Sequence, residues 1–483
     1  MLGDMIPFRI IGNLYFVGTY GASSHMIDTG KGLILIDAGY EETADVVIES
    51  LETLGYDVKD VKYILISHGH DDHSDGVPKL VARSGAKVFM HEADNRYLKG
   101  FLPDVYLKDG DTVRLGNTEI LCLHTPGHTA GVMSFFFNVT DGESTYRAGM
   151  FGGAGVNQLK KAYLDKKGML PLSWRADYLA SLERLRGERV EVFVGNHSWN
   201  NRTREKFEQM QADPTVNPFI NRDEWGIFLD KCEAKLENMI ETESRETFVN
   251  YAHRGASEYM PENTFLSFYN GIAMGANGIE TDVRRTADGK LILFHDSTLE
   301  RVTDGQGRVD EHTYAELMSL NVEKNGFYDK IVTLEEFLQR FAFRELTFAI
   351  ELKGAGVEEE TAELLRKYGM EKKTFVTSFN LEYIRKFKEY APEFRVGYLT
   401  KEIDGELLSE LRALGVDELC PKASEITPEK VRAWHRAGFN VRAWGVDSEE
   451  TMRRVYDSGA NGMTVNFPDK LTEYIKNAVG GRE

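Results

Sequence analysis

Cysteine is scarce in this chain: Cys122, Cys232 and Cys420 are the only 3 among 483 residues, far apart and odd in number. No disulfide framework and no cysteine-rich zinc site follows from them. Long apolar runs are also missing, since none approaches the ~18 residues of a membrane span. The start, Met1-Leu-Gly-Asp-Met-Ile-Pro-Phe-Arg9, has no basic stretch followed by an apolar one, so no secretory leader is expected. Positive charge is in deficit, with 58 Lys+Arg against 77 Asp+Glu and a net charge of −19. That balance argues against nucleic acid as a partner and against stable membrane insertion. It leaves room for a small anionic substrate, because a bound cation dominates its local field. Internal repeats and low-complexity stretches are absent. The expectation is a cytoplasmic enzyme, with homo-oligomerisation left open, and a length of 483 residues implies two domains.

What is present is histidine in one place. His68-Gly-His70-Asp-Asp72-His73 holds 3 of the chain's 12 histidines and follows the apolar run Val61–Ser67. A packed core has no use for so many polar groups together, since each needs its own partner. A divalent cation uses them all, because neutral imidazole and carboxylate are ligands that zinc favours. Later strand ends add His128, in Thr125-Pro-Gly-His128, and His197, in Val194-Gly-Asn-His197. His91 and His124 flank strands too and are read as residues that support the ligands from behind or as ordinary polar residues.

The chain's rhythm divides it. Up to about Asn200, short strands alternate with glycine turns and helices: Leu33–Asp37, Tyr63–Ser67, Lys87–Met90 and Glu119–Leu123 read as strands, and Thr43–Leu54 as a helix. Trp225, Leu229, Cys232, Leu236 and Met239 recur at helical spacing, so 222–242 should be an amphipathic helix. Its polar end, Glu241–Thr247, marks the boundary between domains spanning 1–243 and 247–483. Beyond it come Phe248–Ala252, Gly278–Asp282, Leu291–Phe294, Phe348–Leu352, Thr374–Thr377, Arg395–Leu399, Asn440–Trp444 and Gly462–Val465, alternating with helices. Eight strands in about 235 residues suit a (β/α)₈ barrel. A further weak strand near Glu418 leaves the count ambiguous by one.

The first motif set resembles the metallo-β-lactamase fold family over about Asn13–Asn200, which implies an αββα sandwich. By that resemblance His68, His70 and His128 hold one Zn²⁺, and Asp72, His73 and His197 hold a second. Asp72 also counts among the catalytic groups, and water activated by the metals is the nucleophile. Many family members place a bridging Asp where this chain reads Ala148-Gly-Met150, and a thioether is a poor zinc ligand. The missing bridge is similar to the third subclass of metallo-β-lactamases, and one zinc or two stays open. The substrate is unassigned: lactam, ester or phosphodiester.

In the second half, strand ends carry Ala252-His253-Arg254-Gly255, Glu280-Thr-Asp282, His295-Asp296 and Glu351-Leu-Lys353, with Glu262-Asn263 in a Pro-Glu-Asn-Thr turn. An all-oxygen set of Glu280, Asp282 and Glu351 suits Ca²⁺ or Mg²⁺. His253 and His295 suit acid–base work near neutrality. Arg254 can grip a phosphate. These motifs resemble the glycerophosphodiester phosphodiesterase family over about Phe248–Lys476, a TIM barrel of the phospholipase-C-like phosphodiesterase type. The resemblance implies His253 and His295 as the acid–base pair, with Arg254 and Lys353 beside them as catalytic groups. It makes Glu280, Asp282 and Glu351 metal ligands. Arg254, Glu262, Asn263 and Trp444 become substrate-binding residues. Asn466 stands where the family's usual Thr-Asp-x-Pro has Asp. The expected protein is a bifunctional metal-dependent hydrolase. A single-activity phosphodiesterase, with the zinc domain as a binding or assembly module, is the alternative.

Overall fold

The computed structural model describes residues 5–167 and 170–480. The chain forms two compact units: residues up to Leu159 together with Trp174–Glu237, and Lys160–Ser173 together with Asn238 onward.

In the first unit, Leu33-Ile-Leu-Ile36 explains the architecture. A continuous apolar strand must be covered on both faces. Ile34 and Ile36 point into a core shared with Phe135, Phe137 and Met150, while Leu33 and Leu35 face a second core with Val47, Leu51 and Leu80. The former core lies between two sheets. One runs Phe8–Ile11, Leu14–Phe16, His25–Asp28, Leu33–Ile36, Val61–Leu65, Lys87–Met90, Val105–Tyr106 in sequence order. The other orders Val192–Phe193, Ser144–Met150, Met133–Asp141, Thr118–His124, Asp111–Leu115. Helices Ala44–Thr53 and Val77–Ser84 cover the outer face of the first sheet. Against the second sheet, Trp225 and Phe228 of the helix Glu224–Glu246 meet Phe136 and Phe193. This is the αββα sandwich.

The second unit is a closed barrel of eight parallel strands. In order they are Val249–His253, Gly278–Arg285, Thr347–Leu352, Thr374–Ser378, Arg395–Thr400, Glu418–Pro421, Asn440–Val446 and Gly462–Val465. The last pairs with the first, Val249 opposite Gly462, which closes the ring. The count of eight holds, but its membership corrects the expectation. Leu291–Leu293 is no barrel strand; it pairs antiparallel with Val283–Arg285 as a hairpin. The eighth place belongs to Glu418–Pro421, all four residues buried. Its Glu418 lies inside the barrel because Arg442 donates to it at 2.7 Å, so two charges that would each be costly to bury neutralise one another. At Arg395, buried in its strand, ion pairs to Asp165 and Asp417 meet the guanidinium. Asp165 comes from the helix Lys161–Lys166, which falls in this unit.

Candidate active sites

In the first unit, His68, His73, His128 and His197 each have Nδ1 engaged by the protein, which turns Nε2 inward, while His70 Nδ1 meets His128 Nε2 at 3.1 Å. Asp37 follows the strand Leu33–Ile36 in a left-handed conformation (φ 62°) and accepts from the Ser67 amide at 2.7 Å and the Ser67 hydroxyl at 2.8 Å. His73 Nδ1 lies 2.8 Å from the same carboxylate, while its Nε2 is buried with no hydrogen bond of good geometry. Similarly, His128 Nδ1 is 2.7 Å from the Gly155 carbonyl and His197 Nδ1 is 2.6 Å from the Gly21 carbonyl. His68 Nδ1 is 3.2 Å from Ser67 Oγ, whose proton is already given to Asp37. The free nitrogens converge. Donor atoms of His68, His70 and His128 all lie within 4.8 Å of one another, as do those of His68, Asp72 and His73. Asp72 Oδ2 stands 3.3 Å from His73 Nε2 and 3.7 Å from His197 Nε2. This donor set, with its orphaned His73 Nε2, fits zinc.

Charge at the site is arranged to suit a cation. Burial holds His68 well below the ordinary histidine range and pushes His128 down to about 3, with the neighbouring histidines adding to both effects. His73 is the exception: burial opposes its charge, but Asp37 and Asp72 outweigh burial and push it up to about 10. Two residues unread in the sequence do much of the positioning, Asp37 and Asp94. Buried Asp94 accepts from the Gly69 amide at 2.9 Å, Thr129 Oγ1 at 2.6 Å and the Gly131 amide at 2.8 Å, tying both histidine loops together. The only signal for either was an acidic residue just after a strand or its turn. Gly127 turns the second loop at φ 141°, where any side chain would meet Tyr178. Met150 is buried in the inter-sheet core. His91 and His124 stack on each other, 4.1 Å apart, and belong to no ligand group among the described residues.

In the barrel, the adjacent strands Gly278–Arg285 and Thr347–Leu352 bring Glu280, Asp282 and Glu351 together, their oxygens within 4.8 Å of one another and all buried. Burial and Asp282 raise Glu280 well above the usual carboxylate range and lift Glu351 to about 7. Asp282 goes the other way, because Arg254 and Lys353 overcome the burial penalty. Lys353 Nζ is 2.7 Å from Glu351 and 3.5 Å from Asp282. Asp282 Oδ1 is buried without a hydrogen bond. Three buried oxygens with one left orphaned fit a hard cation such as Ca²⁺ or Mg²⁺.

Above this set lies a cavity of about 510 Å³, lined among others by His253, Arg254, His295, Lys353, Phe379 and Trp444. His253 Nδ1 is 2.6 Å from Asn466 Oδ1, which also accepts from Ser257 Oγ at 3.0 Å. Since Ser257 already gives Asn466 a proton-donor contact, the amide oxygen acts as acceptor and His253 as donor, leaving Nε2 available. Burial, then Arg254, pushes His253 down to about 4, so its imidazole is neutral at physiological pH. His295 Nδ1 bonds Asp296 at 2.5 Å, and Asp296 is in turn gripped by Arg301. Glu262 does not line the cavity; it accepts from Arg254 at 2.9 Å and from Arg301 at 2.7 Å. Asn263, buried at φ 58°, donates to Asp282 at 3.0 Å and accepts from Thr281 at 2.7 Å. Trp444 faces Phe379 edge-on at 4.9 Å and donates to the Thr400 carbonyl at 3.1 Å. The sequence reading missed Phe379, Arg301 and Asp296 as members of this site. Asp296 was in plain view beside His295.

The profile of the glycerophosphoryl diester phosphodiesterase family matches residues 253–470. A glycerophosphodiester phosphodiesterase of Caldanaerobacter subterraneus subsp. tengcongensis is 31% identical over 235 residues, 47% of this chain and 96% of that protein. The chain belongs to the glycerophosphoryl diester phosphodiesterase family. A second glycerophosphodiester phosphodiesterase, from Bacillus subtilis, is 31% identical over 253 residues, 47% of this chain and 86% of its own. The profile of the metallo-beta-lactamase superfamily matches residues 17–141, so the family barrel is fused here to a metallo-β-lactamase-fold domain. Among solved structures, the native FEZ-1 metallo-beta-lactamase from Legionella gormanii is similar at 28% identity and a TM-score of 0.47, covering 50% of this chain and 98% of that one. The protein is a fusion of two hydrolase domains. No helix among the described residues is long and apolar enough to cross a membrane.

Proposed function

We propose that the barrel hydrolyses glycerophosphodiesters to sn-glycerol 3-phosphate and an alcohol, and that the first domain is a dizinc hydrolase acting on a separate substrate. The barrel reading rests on one observation: two histidines with differently occupied Nδ1 atoms border the same cavity as Arg254, Lys353 and the buried carboxylates. A cation held by Glu280, Asp282 and Glu351 would offset phosphate charge as the bond breaks. Arg254, fixed by Glu262, presents its remaining N–H groups to a phosphate oxygen. One of His253 and His295 takes a proton from the attacking hydroxyl, and the other gives one to the departing alkoxide. Asp296 supports whatever positive charge His295 carries. Phe379 and Trp444 offer the glycerol carbons an apolar wall. His253→Ala and His295→Ala, each in the full chain with Mg²⁺ or Ca²⁺ supplied, should lower release of sn-glycerol 3-phosphate from glycerophosphoethanolamine roughly 10²- to 10⁴-fold. Wild-type turnover in either variant sinks the assignment.

For the first domain, bound zinc would supply Lewis-acid polarisation and lower the pKa of water to about 7. The convergence of His68, His70, Asp72, His73 and His128, with His197 beside Asp72, favours a working hydrolase over a binding module. We take 1–243 and 247–483 as the two domains, the second completed by the helix Lys161–Lys166. A cytoplasmic location is the reading that three buried, unpaired cysteines favour.

A further inference from the structure

The rim of the first site is aromatic, and its rings are not equivalent. On one side Tyr97 meets the His70 ring edge-on at 5.1 Å, and the Arg96 guanidinium lies 4.9 Å over Tyr97 and 5.3 Å over Trp174. On the other side Trp199 stacks flat on His197, with centroids 4.4 Å and planes 7° apart. Tyr20 meets Trp199 edge-on at 6.0 Å, and Arg204 sits 4.3 Å over Tyr20. Each tyrosine therefore has a face already covered by a guanidinium. Among the described residues no cation caps Trp199, whose surface is 50% exposed.

An indole fixed by stacking on a proposed metal ligand, yet half open to water, is a ready apolar surface beside the reacting centre. Its surroundings disfavour a flanking anion. The Asp72 carboxylate stands 3.7 Å from the His197 ring on which the indole lies. That carboxylate would repel an anionic substituent lying on the indole, whereas an uncharged ring meets no such penalty.

We propose that Trp199 is the substrate platform of the first site, and that its substrate is an uncharged carbonyl compound with an aryl group next to the scissile carbonyl. This rests on the reading of that site as a hydrolase. In the reaction, water oxygen bonds to the carbonyl carbon, the bond to the leaving group breaks, and a proton of the water passes to the leaving group. The aryl group lies on Trp199 and sets the carbonyl's approach.

Two measurements on the full chain test this, each made in a His253→Ala/His295→Ala background that silences the barrel. The first uses no turnover: saturation-transfer NMR with phenylacetamide, on metal-free and zinc-loaded protein. The aryl protons should take up saturation in the parent and lose most of it in Trp199→Ala. Trp199→Phe should keep it, which also guards against a variant that fails to fold. The second compares the phenylacetyl and acetyl thioesters of one thiol on zinc-loaded protein. The parent should favour phenylacetyl roughly 10-fold or more in kcat/KM. Trp199→Ala should bring that ratio close to unity, mainly through KM, and Trp199→Phe should restore it. A ratio unmoved by Trp199→Ala, no preference in the parent, or faster turnover of bis(p-nitrophenyl) phosphate than of either thioester overturns the proposal. Aryl contact at Trp199 without turnover of any of the three compounds would uphold the platform and sink the hydrolase reading instead.

Discussion

The two sites solve one problem with opposite chemistry. Each gathers groups that would repel one another if all were charged, and each buries them. The first uses bases: burial and mutual repulsion hold His68, His70, His128 and His197 below the usual histidine range, hence neutral. The second uses acids: burial and mutual repulsion raise Glu280 and Glu351. One exception anchors each set, His73 held charged by Asp37 and Asp72, and Asp282 held ionised by Arg254 and Lys353. A buried ligand set thus sheds charge in whichever direction neutralises it, and a cation reverses that.

The largest expected effect breaks the comparison at the ligands. Glu351→Gln should lower phosphodiester turnover roughly 10³-fold, the scale of a lost metal contribution. Zinc content, read by elemental analysis, should not change. Loss of zinc in the same variant would show that the two metals are not sorted between imidazole and oxygen sets. A smaller effect is expected one contact further out. Asp37→Ala removes the carboxylate that orients His73 and Ser67, and zinc affinity should fall about 10- to 100-fold in a chelator competition. Unchanged affinity would mean that Asp37 only packs.

Both side-chain clusters could be read in the sequence because they join chemically rare side chains to strands that apolar runs announce. The residues that hold them could not. Asp37 serves His73 from 36 positions away and Asp94 serves Gly131 from 37, distances at which an acidic residue looks like any other. Strand direction was equally hidden in the apolar triplet Leu291-Ile-Leu293, although Asp288-Gly289, with Gly289 at φ 84°, is the kind of turn that reverses a chain. Glu418–Pro421 looked weak because its acidic start is neutralised by Arg442, a partner found only on the neighbouring strand. The helix Lys161–Lys166 falls in the barrel unit, where its Asp165 pairs with Arg395, 230 residues away, a contact that no local pattern carries.

The smallest effect sharpens the comparison through pH. Glu351 is raised from 4.5 to about 7, so between those values the folded barrel binds a proton that the unfolded chain does not. Its contribution to the stability of metal-free protein is therefore present at low pH and is lost as pH rises through about 7. Histidines lowered from 6.5, such as His128 at about 3, have the opposite sign: below 6.5 the unfolded chain binds the extra proton, so stability falls as pH drops from 6.5 towards 3. Mg²⁺ or Ca²⁺ should compete with the proton on Glu351, because carboxylates bind metal only when ionised. The rise in Tm on adding either ion should accordingly be greater at pH 8 than at pH 5.5, and Glu351→Gln should flatten that difference. In metal-free protein, His128→Ala should remove part of the loss of stability between pH 6.5 and 5 without altering the Mg²⁺ response. A Mg²⁺-induced Tm shift independent of pH would mean that Glu351 is already ionised in the metal-free fold, and the symmetry between the two sites would fail on the acidic side.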